Sequence, residues 1–477
     1  MNLLKSKVVA LFALGLVFSA SAFAETQNVK VSGSLDVYSI YRNNFDLYEG
    51  NDAGVLPLGA TAPNLPGSTP AGTTSERSDA DNFFFSITQV GVSADLTDNV
   101  STVINLINQR DWNANSVDSS LVSSSNAANE FDVLLDLAYV QMKEIFYTPL
   151  TMTIGRQDLV FGRGFIIGWN PLDSQGVIQA DEFTQIQSFD AIRATLDFNP
   201  WTIDFVYSKI AEGSPNPEDD SDLYIAYLNY KFAEYNAVAD LYYTGQYDRR
   251  TLAAATGTAD QETNTVGGRV QFDPISQITL GGELAFQFGE FRSSLGAMDR
   301  DRNSWATDIF GEYRWDNSWK PMLGIQYVYL GGESDLSAGT AADYGAWNGA
   351  FRGTIYGWIH DYKEVYFATA FTGDQSAGQN QQHLSVYGSM QPMEDLKLTA
   401  AWWYFWATDD YHTSTAVPAS ATLNDEIGNE IDLAAIYSYT EDVTFTVMAD
   451  WFIPGDLYQS PFDDVATQLI SEVKVVF

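Results

Sequence analysis

Apolar and polar residues alternate with a period of two along most of this chain. The first such run carries Val29 and Val31 on one face and Lys30 and Ser32 on the other, and similar runs continue to Phe477. Period-two alternation is the pattern of a β-strand whose two faces meet different environments. The chain is therefore predicted to be all-β, with strands of about ten residues, a length that crosses a bilayer when the strand is tilted.

Short turns and long polar segments alternate between these runs. Short turns are predicted at Thr97-Asp98-Asn99, Asn199-Pro200, Ala233-Glu234-Tyr235, Asp273-Pro274, Asp316-Asn317-Ser318, Pro392-Met393-Glu394-Asp395 and Glu441-Asp442. Long loops are predicted at 47–82, 111–130, 156–187, 212–222, 248–261, 289–303 and 408–424. A transmembrane antiparallel β-barrel has this asymmetry, with short periplasmic turns and long extracellular loops. A soluble β-sandwich has similar strands without the asymmetry.

The number of strands depends on the segment from Phe351 to Phe371. Both chain ends are expected in the periplasm, so the number of strands is even. If 351–359 and 365–371 are strands, the barrel has about 20 of them, and if the segment is an external or inward-folded loop, it has about 18. Either barrel is wide enough for an aqueous channel or a plugged lumen.

The first residues predict export. Lys5 and Lys7 precede an apolar run, and Ala22-Phe23-Ala24 precedes a cleavage point, so residues 1–24 are predicted to be a secretory signal peptide and 25–477 the barrel. No later run of ~18 apolar residues predicts a membrane helix. The chain has no cysteine, so its stability cannot depend on disulfides.

Aromatic residues support a location in the outer membrane of a Gram-negative bacterium, among its lipids. Interfacial belts are predicted from Trp201, Trp319 and Tyr439 beside short turns, and from Trp406 and Trp451 at the opposite strand ends. The last strand alternates and ends on Phe477. This ending resembles the signal that the outer-membrane assembly machinery recognises, so that machinery is an expected partner.

The formal net charge is −38, which argues against nucleic acid as a partner. Acidic loop clusters at 78–82, 218–222 and 299–303 offer oxygen ligands of the kind that calcium takes. They lack the spacing of a calcium-binding loop, and a solvated loop surface is the favoured interpretation. The sequence therefore predicts no metal and no cofactor.

The stretch from Gly155 to Gly164 places two arginines among glycines directly after a strand. Its glycines would let the following connection bend inward over the mouth of a pore. Arg156 and Arg163 are then predicted to contact solute or to pin the connection to acidic wall residues.

Taking the polar face of each strand as inward gives a lumen of mixed charge. The predicted lumen and solute-binding residues are Arg156, Gln157, Arg163, Arg193, Lys231, Arg269, Glu283, Asp308, Glu312, Arg314, Trp403 and Asp432. This mixture predicts weak ion selectivity or a preference for cations. Alternatively, Arg314 with Glu312, or Arg269 with Glu283, form cross-strand pairs that only hold the wall together. Trp403 and Phe405 would stack on sugar rings or pack against an inward loop.

Several separated segments resemble the alginate-export family of outer-membrane porins. They are Leu137-Ala138-Tyr139-Val140 with the residues from Gly155 to Gly162, Ser389-Met390-Gln391-Pro392 with Tyr404-Phe405-Trp406, and Gly428-Asn429-Glu430-Ile431-Asp432-Leu433 with Phe452-Ile453-Pro454-Gly455-Asp456. The resemblance implies an 18-stranded monomeric barrel that passes a polysaccharide or another solute. Family members used for alginate have an arginine-rich lumen, and this chain departs from that pattern.

These patterns predict an outer-membrane channel for a hydrophilic solute, such as a saccharide or polysaccharide, that diffuses through a charged lumen narrowed or gated by inward loops. Periplasmic export partners are compatible with this function. The alternative is a structural or adhesive surface protein without an open pore. An enzyme is not predicted, because His360, His383 and His412 are the only histidines and none belongs to a recognisable nucleophile motif.

Overall fold

The computed structural model describes residues 28–45, 47, 80–112, 133–170, 185–212, 220–249, 261–292, 299–333, 343–361, 379–409, 424–458 and 463–477. They form one 18-stranded antiparallel sheet in which β1 pairs with both β2 and β18, so the sheet closes into a barrel. The strands are β1 Asn28–Asn43, β2 Ala80–Thr97, β3 Val100–Asp111, β4 Leu134–Met142, β5 Leu150–Asp158, β6 Ser188–Asp197, β7 Trp201–Ala211, β8 Ser221–Lys231, β9 Val238–Asp248, β10 Gln261–Ile275, β11 Ile278–Arg292, β12 Asp299–Arg314, β13 Met322–Leu330, β14 Gln381–Met393, β15 Leu396–Ala407, β16 Glu426–Ser438, β17 Val443–Pro454 and β18 Ala466–Val476.

The alternation in the sequence becomes an outer face and a lumen face. In β12, Trp305 and Ile309 are exposed on the outside, while Ala306 and Asp308 between them are buried inside. Trp305 stacks on Tyr329 of β13 with ring centroids 4.0 Å apart. An apolar outer face is stable only where lipid covers it, so the barrel has the surface of a membrane protein.

The short and long connections alternate around the barrel as predicted, with two turns displaced. Asp273 and Pro274 lie inside β10, and Pro392 lies inside β14, so both turns come later in the chain. The ladder shifts register at both places. A proline lacks the N–H that the ladder needs and is tolerated at such a bulge. The predicted loop 289–303 is shorter than expected, because β11 and β12 extend to Arg292 and from Asp299.

The barrel has 18 strands, and the 20-strand alternative is wrong. β13 pairs directly with β14, which leaves no place in the sheet for two strands between them. The described residues of this connection include a helical turn at 358–361 but no barrel strand, and the segment 365–371 lies outside the described residues. A 3-10 turn, Ile145–Tyr147, connects β4 to β5. Within the described ranges, no helix is long and apolar enough to cross a membrane.

Residues 1–24 and Glu25 lie outside the described residues, and so do Ser78, Asp79, Glu218 and Asp219 of the acidic loop clusters. Among the residues that the structure does describe, no group of three acidic, histidine or cysteine side chains is arranged to hold a metal ion.

Candidate functional site

Two connections at the long-loop end of the barrel fold inward and pack on each other. Loop L3 joins β5 to β6, with residues 159–170 and 185–187 described, and loop L7 joins β13 to β14, with residues 331–333, 343–361 and 379–380 described. We call these described residues the plug. Phe165 of L3 stacks on Trp347 of L7 at 6.4 Å between ring centroids, and both side chains are almost fully buried. The apolar faces of the two loops therefore form a core inside the barrel.

Glycines make this contact between the loops possible. L3 bends at Gly162 and Gly164, whose φ angles of 60° and 78° favour glycine. The Gly353 N–H donates to the Gly164 carbonyl at 2.8 Å, and the Gly168 N–H donates to the Phe351 carbonyl at 2.8 Å. A Cβ atom on Gly353 would lie 2.9 Å from the Gly168 backbone, which is too close for any side chain. Glycine at these positions lets the two backbones meet.

Wall side chains hold the plug on three sides. Both carboxylate oxygens of the fully buried Glu430 accept hydrogen bonds at 2.7 Å, from the backbone N–H groups of Ile359 and His360 at the start of the helical turn. The Asn348 N–H donates to Gln287 Oε1 at 2.8 Å, and Gln287 Nε2 donates back to the Asn348 carbonyl at 2.8 Å. These bonds fix L7 to β16 and to β11.

L3 is held by β1 and β18. Gln185 Nε2 donates to Asp36 Oδ2 at 2.9 Å, and Lys474 Nζ lies 3.1 Å from the same oxygen. Ile186 packs into a buried cluster with Ile40, Phe85, Ile87, Ile107 and Ile470. The end of L3 therefore closes the β1–β3 side of the lumen with apolar contacts.

The lumen face is apolar where it meets the plug. Val206, Ile225 and Phe405 are buried lumen-facing residues in one core cluster with the aromatic residues of L3 and L7. The assumption that the lumen face is polar therefore fails near the long-loop end, because the wall contacts protein there rather than water.

Most predicted lumen charges are paired with neighbours in the wall. Arg193 Nε lies 2.7 Å from Asp204 Oδ1, and its guanidinium carbon lies 5.2 Å from the ring centroid of Phe161 in L3. Arg314 pairs with Glu312 two residues away in the same strand, not across strands as predicted. Lys231 is exposed at the short-turn end of β8. Charge pairs within the wall therefore occupy part of the lumen face.

Arg269 has a different partner from the predicted one. Its Nε lies 2.6 Å from Asp240 Oδ2 on β9, whereas Glu283 accepts a hydrogen bond from the Tyr242 hydroxyl at 2.8 Å. Register places Arg269 opposite both Asp240 and Glu283, so the pattern alone could not choose between the two acids.

The two arginines of the glycine-rich stretch have separate environments. Arg156 Nη1 lies 3.5 Å from Asp190 Oδ2, and the Asp190 side chain is 63% exposed. Asp190 alternates with the buried Phe189 and Ala191, which places this pair on the outer face of the barrel rim. Strand register thus places Arg156, which was predicted to line the lumen, on the face opposite to Gln157.

Gln157 and Arg163 point inward. Gln157 is buried, and its amide nitrogen donates to the carbonyls of Thr153, Gly155 and Ala191, so it stabilises the bend at Gly155 rather than facing solute. Arg163 belongs to L3, and its guanidinium carbon lies 3.9 Å from the ring centroid of Phe310 on the lumen face of β12.

Tyr356 of L7 packs on side chains of the lumen face of β14 and β15. The Tyr356 ring lies 4.9 Å from the ring of His383 and 6.3 Å from that of Trp403. Trp403 Nε1 donates to Asp432 Oδ2 at 2.8 Å. Complete burial raises the pKa of the Tyr356 phenol well above its ordinary value, and the Asp308 carboxylate adds to the shift, so the phenol stays protonated.

No sequence pattern indicated a role for Tyr356, His383 or Ser385, or that Glu430 anchors a loop. Tyr356 belongs to a connection without strand periodicity, so no pattern shows where its side chain lies. His383 and Ser385 do share the lumen face of β14 with an alternation that could have indicated them. His383 Nε2 and His360 Nε2 each lie 2.7 Å from Gln381 Oε1.

An 18-stranded barrel with an apolar outer face and a charged lumen that loops enter is the architecture of outer-membrane channel proteins. The alginate export family matches residues 69–471, and the chain belongs to this family. It is thus a protein of the Gram-negative outer membrane.

Solved structures share the fold. The outer membrane protein OpdK from Pseudomonas aeruginosa is 11% identical, with a TM-score of 0.51 over 95% of this chain and 100% of that chain. OccK8 (OprE) from the same organism is 11% identical, with a TM-score of 0.50 over 95% of this chain and 98% of that chain. At such identity the likeness shows the fold alone. No curated protein matches the chain.

Proposed function

We propose that this protein is a diffusion channel for small hydrophilic solutes, that it prefers cations, and that the plug limits the size of what passes. The observation that carries the proposal is the excess of carboxylates on the lumen wall. Buried lumen-facing acids are Asp36, Asp204, Asp240, Glu283, Asp308, Glu430, Asp432 and Asp450. Glu312 is a further lumen acid. The basic residues on the same wall are Arg42, Arg193, Arg269, Arg300, Arg302, Arg314 and Lys474, and the plug adds Arg163 and Arg352. A wall with this balance attracts cations and repels anions.

The plug argues against a polyanionic polymer as the solute. A polysaccharide needs a continuous lumen, whereas L3 and L7 are bonded to each other and to the barrel wall at β1, β11 and β16. The family name refers to alginate, but the acidic wall of this chain would repel such a polyanion. Among neutral solutes we favour a short saccharide, because Trp403 remains half-buried on the lumen face, while Phe405 is covered by the His360 ring at 3.8 Å.

A structural surface protein without an open pore is the second candidate. The observation that favours it is the apolar packing of the plug, in which Phe165, Trp347 and Tyr356 are almost fully buried. A catalytic role is not proposed, because the family and the barrel indicate a channel. Nε2 of His360 and Nε2 of His383 each contact the side-chain oxygen of Gln381 rather than a nucleophile.

Planar-bilayer recording of the refolded protein separates these functions. We expect discrete conductance steps, and in a salt gradient a reversal potential of the sign that cation preference requires. Absence of conductance in protein that shows the heat-dependent gel shift of a folded barrel would favour the surface protein. Clear anion selectivity would show that the wall carboxylates do not set the potential of the pathway.

A further inference from the structure

Two buried histidines join L7 to the barrel wall through one glutamine. His360 lies in the helical turn of L7 and is 3% exposed, and His383 lies on the lumen face of β14 and is 1% exposed. Nε2 of each ring lies 2.7 Å from Oε1 of Gln381, the first residue of β14. His360, Gln381 and His383 therefore connect the loop to the wall, and we call them the histidine bridge.

The bridge fits two neutral imidazole rings. An amide oxygen only accepts hydrogen bonds, so both rings donate to Gln381 from Nε2, and a neutral ring then carries no proton on Nδ1. His383 Nδ1 is buried and has no hydrogen-bond partner among the residues that the structure describes. A second proton on this ring would bury a charged N–H group without an acceptor, which costs free energy.

The charges within L7 do not compensate a protonated bridge. The ring centroids of His360 and His383 are 5.8 Å apart, so two protonated rings would repel each other. Arg352 is a further positive charge that interacts electrostatically with His383. The Asp361 carboxylate is already engaged, because it accepts from the Arg352 guanidinium at 2.9 Å and from the Tyr356 N–H at 3.0 Å.

The wall strands around the bridge present aromatic rings and carboxylates that already accept hydrogen bonds. The His360 ring stacks on Phe405 of β15 at 3.8 Å between centroids and on Phe452 of β17 at 6.0 Å. The wall carboxylates on β12, β16 and β17 that accept from other groups are Asp308, Glu430, Asp432 and Asp450. An added proton on the bridge would therefore have to compete with existing hydrogen bonds for an acceptor.

We propose that the histidine bridge is a pH-sensitive latch that releases L7 from the wall in acid. The proposal rests on the proposed channel function and adds its regulation. Once L7 leaves the wall, the histidines meet water and ionise with the ordinary histidine pKa of about 6.5. The anchored bridge has no acceptor for these protons, so the released state binds more of them and is favoured as the pH falls below about 6.5. Above this pH the bridge stabilises the anchored state in full.

Single-channel recording about one pH unit above and one below the ordinary histidine pKa, at about pH 7.5 and 5.5, tests the latch. Uptake of one proton on release shifts the equilibrium between anchored and released L7 about tenfold over this range, and uptake of two shifts it about a hundredfold. We expect the occupancy of a larger conductance to rise by these factors in acid.

Glutamine variants identify the titrating groups, because a glutamine side chain does not ionise in this range. His360→Gln and His383→Gln should each reduce the acid response to about tenfold or less, and the double variant should lose it. The matched control is His412→Gln, which removes the third histidine of the chain and should keep the full response.

An acid response that persists in the double variant would overturn the proposal, because carboxylates such as Glu430 would then be the titrating groups. A conducting wild type without any acid response would overturn it as well. Should the double variant not fold, the single variants decide, and wild-type responses from both would count against the latch.

Hydrogen exchange separates failure of the latch from failure of the channel function. If the folded wild type does not conduct at either pH, the channel function fails, but the amides of residues 344–361 still report release of L7. Their exchange, corrected for the intrinsic effect of pH, should be faster at about pH 5.5 than at about pH 7.5 by the same factors. Equal corrected exchange at both pH values would overturn the latch.

Discussion

Removing the carboxylate of Glu430 should release L7 from the wall. In the wild type, the backbone N–H groups of Ile359 and His360 donate to the two side-chain oxygens of the fully buried Glu430 at 2.7 Å. Glu430→Ala removes both acceptors. Leaving a buried N–H group without its acceptor costs about 1–3 kcal/mol, so the two together hold the loop by about 2–6 kcal/mol. At about 1.4 kcal/mol per factor of ten, the equilibrium between anchored and released L7 shifts by about one to four factors of ten.

Single-channel recording measures this shift. We expect Glu430→Ala to show frequent transitions to a larger conductance, because a released L7 uncovers part of the lumen. The matched control is Glu312→Ala, which also removes a lumen carboxylate, but one whose contacts with Arg314 and the Tyr387 hydroxyl lie within the wall. That control should change ion selectivity without adding transitions.

Two results would refute this account of Glu430. Steady wild-type-like currents from folded Glu430→Ala protein would mean that the remaining contacts of L7 hold the loop without the carboxylate. Equal numbers of new transitions in Glu312→Ala would mean that the loss of any lumen carboxylate, rather than of the loop anchor, causes them.

Three further predictions concern the plug and the wall. Gly353→Ala should separate L3 from L7 and lower the temperature of the heat-dependent gel shift, because the new Cβ would lie 2.9 Å from the Gly168 backbone. Gly282→Ala is the control and should not lower this temperature, because its Cβ would lie 3.7 Å from the nearest atom, the Asp308 carbonyl oxygen. Arg314→Gln should move the reversal potential toward stronger cation preference, since it removes a half-exposed positive charge from the lumen. Burial raises the pKa of Tyr356, so above the ordinary tyrosine pKa of about 10 the unfolded chain ionises this phenol before the folded protein does, and unfolding is favoured. In alkaline denaturation the wild type should therefore lose more stability than Tyr356→Phe.

The misplaced residues show the limit of an alternation argument. Parity along a strand predicts that two side chains share a face, but Arg156 and Gln157 are adjacent and could not both face the lumen of a regular strand. The structure places Gln157 inside and Arg156 beside Asp190 on the outer face. Arg269 lies opposite an acid on each neighbouring strand, Asp240 on β9 and Glu283 on β11. Alternation along the strand does not distinguish them, and the side-chain geometry selects Asp240.

The sequence by itself determined the barrel, its membrane surface and the positions of most turns. Those features follow from local physics, because a period of two, a lipid-facing apolar row and tight turns are all visible within a few residues. The tertiary structure alone decided that the connection after β13 enters the lumen, that Glu430 holds it, and that the lumen face is apolar near the long-loop end. These features arise from contacts between residues such as Gly168 and Gly353, which lie far apart in the chain, and no local pattern records such contacts.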